Sequence, residues 1–393
     1  MTGSNFALQQ RSGRAERRGL RWIIQQFTPN WFAATMGTGI LALDLNQVGF
    51  HGVLLHEVAT VLWLGNIALF VIFTALYAAR WTMFPREAAR IFAHSSMSMF
   101  FGTIPMGLAT IINGFIAFGV PLFGTVAVGT AAALWWVDVA LALVIGLGIP
   151  VLMITRQDHA IERMTAIWLL PVVAAEVAAA SGALILPHLA SPAMAFTFEV
   201  IGFALWAYSV PTALGILVIL LLRLILHKLP PHDMAPSSWL VLGPIGTGAL
   251  GLLLLGIDAG PAFAGTALAP LSLAVHAIGL VGGMILWGYG VWWLGFAVFA
   301  TIRSVGDHLP FNLGWWGFTF PLGVYTAATF ALAGQTDFAL FHGIAVALTV
   351  CLGTFWAIVA TRTLQGVWER SVFMAPCLIH GAIPADRFAA DTV

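Results

Sequence analysis

The chain has 393 residues, 60% of them hydrophobic and 8% charged, with 16 Lys and Arg balancing 16 Asp and Glu. Soluble domains carry a charged fraction nearer ~25%, and a mean hydropathy of +0.95 leaves too little polar surface to cover such a globule. Soluble enzymes and nucleic-acid-binding proteins are thereby excluded, and the composition describes an all-α polytopic protein embedded in the lipid bilayer of the inner or plasma membrane.

Arg11, Arg14, Arg17, Arg18 and Arg21 precede Trp22, and the apolar stretch after them has no small-residue cleavage pattern. Residues 1–26 therefore read as an unstructured basic arm that signals topology rather than as a signal peptide. Ten apolar segments follow, at 29–47, 54–79, 93–113, 122–153, 165–187, 195–224, 237–257, 270–301, 313–333 and 339–361. A hydrocarbon core of ~30 Å needs ~20 residues per crossing, so each is taken as a transmembrane helix and residues 27–365 as one membrane domain. Residues 366–393 form a tail.

Beyond the arm, the basic residues follow the even segments: Arg80, Arg86 and Arg90, then Arg156 and Arg163, Arg223 and Lys228, Arg303, and finally Arg362, Arg370 and Arg387. With the arm these account for every Lys and Arg, all on one side, which places both termini in the cytoplasm. The opposite loops hold His51, His56, Glu57, His188, Asp258 and Asp337.

The odd segments share a second feature. Pro105, Pro171, Pro244 and Pro321 are separated by 66, 73 and 77 residues, about one helical hairpin each, and Gly37-Thr38-Gly39 gives the first segment a glycine-only counterpart. Broken backbone at membrane depth is tolerated where it lines a cavity, so the odd helices of five hairpins are expected to be kinked and to form an inner ring around a pore. The residues preceding the prolines are Ile104, Leu170, Gly243 and Phe320, with Thr35 or Met36 the counterpart in the first segment. Only Phe320 is aromatic, and an aromatic ring in a narrow apolar lumen expels water and closes it.

Apart from Arg223 at the very end of the sixth, the spans contain no Lys or Arg, so an anion in the pore would be held by the hydroxyls of Thr35, Thr38, Thr103, Thr247 and Thr319 and by backbone N–H groups at the breaks. That favours small anions over dicarboxylates, which call for a bidentate arginine. Glu176 is the candidate for proton coupling, although six residues past Leu170, at ~100° each, put it about 120° from the luminal face. Asp138 and Glu199 read as structural partners. Cys351 and Cys377 match no disulfide or metal pattern. Of the histidines only His276 lies at depth, so a membrane redox protein with haem or copper is disfavoured and no cofactor is expected. A receptor or purely structural role is the other rival.

The run from Phe311-Asn312 through Trp315-Trp316 to Phe318-Thr319-Phe320-Pro321-Leu322 resembles the ninth-helix motif of the tellurite-resistance/dicarboxylate transporter family. Phe27-Thr28-Pro29-Asn30-Trp31-Phe32, Met36-Gly37-Thr38-Gly39, Phe101-Gly102-Thr103-Ile104-Pro105-Met106-Gly107 and Leu242-Gly243-Pro244-Ile245-Gly246-Thr247-Gly248 extend the likeness over nearly the whole chain. The family includes the plant guard-cell slow anion channel and the fungal sulfite efflux pump, the latter nearest in its motifs. The resemblance implies ten helices in five hairpins, a homotrimer, and transport of small anions past a gating phenylalanine, which falls on Phe320, with Phe318 the alternative. Sulfite efflux is the expected activity. Malate or another C4-dicarboxylate, and passive chloride or nitrate conduction, remain open.

Overall fold

A computed structural model describes residues 19–49, 52–305 and 310–379. Arg11, Arg14, Arg17, Arg18, His51, His308, His380 and Arg387 lie outside the described residues. Within them there is no strand, and ten α-helices have twelve residues or more. These are α1 (Ala33–Gln47), α2 (Gly52–Met83), α3 (Thr103–Gly114), α4 (Thr125–Thr155), α5 (Leu170–Ile185), α6 (Pro192–His227), α7 (Leu242–Phe263), α8 (Ser272–Val305), α9 (Phe320–Thr336) and α10 (Ala339–Trp368). With the turns that extend them, eight are long and apolar enough to cross a bilayer; α1 and α9, at 15 and 17 residues, are shorter.

The break expected in the odd segments is a junction between 3₁₀ and α geometry. A 3₁₀ turn leads into α1 (Pro29–Phe32), α3 (Met97–Gly102), α5 (Ala166–Leu169), α7 (His232–Val241) and α9 (Leu313–Phe318). Pro171 and Pro321 are the second residues of their α-helices, and Pro105 and Pro244 the third. There a ring nitrogen forfeits little, because the first-turn N–H groups of an α-helix have no partner within that helix. The glycine break expected at Gly37 and Gly39 is absent. α1 runs unbroken through both.

The odd helices form a closed ring: α1 packs on α3, α3 on α5, α5 on α7, α7 on α9, and α9 on α1. Each even helix fills the outer groove between two of them, α2 between α1 and α3 and so on round to α10 between α9 and α1. Burial follows this order. The most apolar window of the α5 span is 94% buried and that of α7 83%, against 17% to 33% for the even helices. The ring helices are apolar on every side and so need a covering on every side, whereas the outer helices present Val61, Val144 and Ile154 to lipid. Small residues bring the ring backbones together. A Cβ on Gly246 would stand 2.6 Å from the backbone N of Tyr325 in α9, a clash that no side-chain rotation relieves.

The N-terminal end of the membrane domain differs from expectation. Leu20–Gln26, assigned to an unstructured arm, is helical, with the Arg21 guanidinium over the Phe84 ring. The chain after α10 does not begin as a free tail. It reverses at Arg370 (φ 57°) and stacks Phe373 on Trp31, ring centroids 4.9 Å apart.

Candidate pore and gate

A cavity of about 490 Å³ opens among the N-termini of the five ring helices, on the arginine-bearing face. Its wall includes Met36 of α1, Thr103 of α3, Leu170 of α5 and Phe320 of α9, with Leu240 from the turn before α7. Asn30, His94, Ser96, Asp233 and Asn312 make a polar rim. Thr103, Leu170 and Phe320 are each the first residue of an α-helix, and Ala33, first in α1, also reaches the cavity. The helix start, not the proline, is therefore the common register. Where the proline is second, as at 171 and 321, the preceding residue lines the cavity. Where it is third, the preceding residue is turned by ~100°, so Ile104 gives way to Thr103, and Gly243 is likewise outside this wall.

Phe320 is 3% exposed, and Pro321 beside it also lines the cavity. Phe318 does not. Its ring packs among Trp239, Trp315 and Phe355, with centroids 5.2 to 5.8 Å away. Gly243 has a different surrounding from every other buried glycine described here: a Cβ built on it meets nothing within 4 Å. It is shielded from solvent yet borders open interior space, close to the ring of helix starts.

The threonines are less available than expected. Thr319 donates to the Trp316 carbonyl (2.7 Å), Thr247 to Gly243 (2.8 Å), Thr35 to Phe32 (2.7 Å), and Thr103 to Pro29 and Phe100 (2.8 and 2.7 Å). Thr38 accepts from Trp356 Nε1 of α10 (3.0 Å), facing the outer ring. Every one of these hydroxyls but that of Thr38 spends its proton on protein, and what faces the cavity with positive sign is the N-terminal ends of α1, α3, α5 and α9. Aligned peptide dipoles put roughly half a positive charge at each such end.

Glu176 is fully buried on α5, with Oε2 3.0 Å from Ser209 Oγ of the outer helix α6. The same hydroxyl lies 2.9 Å from the Val172 carbonyl, so one proton serves two acceptors, and a proton held on Glu176 completes the arrangement. The carboxyl therefore faces the groove between the rings, as its helical angle suggested. Asp138 and Glu199 are buried with no hydrogen-bond partner on either carboxylate oxygen.

Arg80 and Arg223, expected in connections, are instead carried by outer helices. Arg80 lies within α2 and Arg223 within α6, at 0% and 4% exposure. A residue count that assigns basic residues to loops has no way to register that long outer helices carry them inward.

A closed inner ring of five helices, opening at one face into a vestibule with a phenylalanine in its wall and wrapped by five outer helices with exposed apolar faces, defines a multi-pass membrane protein. Residues 26–364 match the family model described as voltage-dependent anion channel, and the chain belongs to that family. It is 36% identical to the sulfite efflux pump SSU1 of Arthroderma otae over 375 residues, covering 95% of this chain and 99% of the relative. It is 31% identical to the uncharacterized transporter MJ0576 of Methanocaldococcus jannaschii, covering 89% and 96%. At 21% identity it also matches the malic acid transport protein of Schizosaccharomyces pombe, covering 84% and 76%. Anion transport is thus the activity of its family.

Proposed function

We propose that the protein exports small anions, sulfite foremost, across the plasma membrane along the axis of the inner ring, with Phe320 as the gate. On this reading all ten helices cross the bilayer, both termini are cytoplasmic, the protein is a homotrimer without enzymatic activity, and the vestibule is the cytoplasmic mouth. The observation that carries the reading is the position of Phe320: first residue of α9, nearly inaccessible, in the wall it shares with the starts of α1, α3 and α5. The near full-length likeness to a sulfite efflux pump supports the choice of substrate.

An axial path with no arginine in its wall holds its ion through dipoles, which suits a small anion better than a four-carbon dicarboxylate. Anion flux into proteoliposomes, compared for sulfite, chloride, nitrate and malate under controlled voltage and pH gradients, tests this. Sulfite should be carried best and malate should compete poorly. Saturable malate transport at lower concentration than sulfite would replace the reading with a dicarboxylate transporter.

A further inference from the structure

Two arginines carry charge into the protein interior without a carboxylate to neutralise it. The Arg80 guanidinium donates to the carbonyl of Phe27 and, at 3.4 Å, to that of Glu87, and Nη2 lies 3.6 Å from Cys377 Sγ. Arg223 donates from Nε and Nη2 to the Glu162 carbonyl (3.2 and 2.6 Å) and from Nη1 to that of Lys228 (2.6 Å). The acidic residues in these contacts offer their main chain, and among the described residues no carboxylate pairs with either arginine. Carbonyl dipoles satisfy N–H donors but leave the unit charge in place, and a guanidinium does not lose its proton in a protein. Buried charges are ordinarily paired, so two unpaired ones on the same face of one protein call for a reason.

Each is linked to the vestibule through one neighbour. Cys377, which Arg80 touches, follows Pro376 in the cavity wall, and Ser237 lines both the vestibule and the small neighbouring cavity that contains Arg223. α2 and α6 sit at separate stations of the outer ring, so the two charges approach the mouth from different sides. Asp233 is the one acidic residue in that wall among those described. We infer that Arg80 and Arg223 are specificity-determining residues, which hold the vestibule electropositive and select anions over cations through their field rather than by contact. The inference rests on the vestibule being the anion path.

The test is the reversal potential of the full-length protein in planar bilayers under a potassium nitrate gradient. Arg80→Gln and Arg223→Gln should each lower the anion-to-cation permeability ratio at least several-fold, because removing a unit charge weakens the attraction of anions and the repulsion of cations together. Arg80→Lys and Arg223→Lys, which keep the charge but not the fork of donors, should retain it. An unchanged ratio in both Gln variants overturns the inference, as does equal loss in Lys and Gln variants, which marks a structural role.

Wild-type protein gives a second reading that needs no variant to fold. Raising ionic strength from about 0.01 to 1 M with bulky impermeant ions shortens the screening length from ~30 to ~3 Å. Sub-saturating anion uptake should fall several-fold across that range, and uptake indifferent to it would contradict the inference while leaving the pore reading intact. Wild-type protein with no anion flux at all overturns the pore reading and this inference together.

Discussion

Thr319 fills the space that a methyl group on Gly37 would need. A Cβ built on Gly37 would overlap Thr319 Oγ1 and stand 2.8 Å from Trp316 Cε3. This contact closes the ring between its first and last members and fixes the residue immediately before Phe320. Gly37→Val should therefore cost ~1–3 kcal/mol by overpacking, read as a lowered melting temperature in detergent. Thr319→Ala should recover part of that loss in the double variant, and strict additivity of the two changes would show that they do not share the space.

At Gly243, by contrast, substitution should leave stability nearly unchanged. Because its missing side chain borders open interior space, Gly243→Ala and Gly243→Val should leave thermal stability within ~1 kcal/mol while lowering anion flux. In a Phe320→Ala background, Gly243→Phe should reduce conductance about tenfold, equivalent to ~1.4 kcal/mol in barrier. Wild-type flux in the valine variant, in protein that remains folded, would place the space beside Gly243 off the conduction path.

For Glu176, the shared proton at Ser209 separates a structural acid from a proton carrier. An amide in its place can donate to Ser209 Oγ, so Glu176→Gln should fold normally and keep wild-type pH dependence of transport. Glu176→Leu leaves Ser209 Oγ its bond to the Val172 carbonyl but removes the proton it would accept, and should cost ~1 kcal/mol. Loss of pH-driven accumulation in the Gln variant, with downhill flux retained, would make Glu176 the coupling residue after all.

Most of this architecture is legible in the sequence because membrane insertion constrains it so heavily. Recurrence of proline in alternate segments survives in the structure as an inner ring, whereas confinement of Lys and Arg to connections does not, since Arg80, Arg223, Arg303 and Arg362 lie within outer helices. The register was less accessible. Proline marks the first turn of a helix, but only the 3₁₀ turn before it shows whether it stands second or third, and that one-residue difference decides between Ile104 and Thr103. Gly37 and Gly39 looked like a break because glycine in a membrane span has two uses, bending and close packing, and the choice depends on Thr319 and Thr110 in distant segments. The burial of Arg80 and the stacking of Phe373 on Trp31 are likewise tertiary facts with no local signature.

Phe320 and Phe318 are two residues apart, about equally buried, and differently employed, so they offer the sharpest trial of the gate. Phe318→Ala removes a ring packed among three aromatics and should cost ~3–5 kcal/mol with little change in flux per folded molecule. Phe320→Ala removes a ring that borders the cavity and should cost less, because an alanine there opens a space water can wet. The decisive measurement is single-channel or macroscopic anion conductance of Phe320→Ala in planar bilayers, normalised to folded protein. A strong increase over wild type, in protein that purifies in the same oligomeric form, is the expected result; conductance unchanged from wild type would contradict a gate at Phe320.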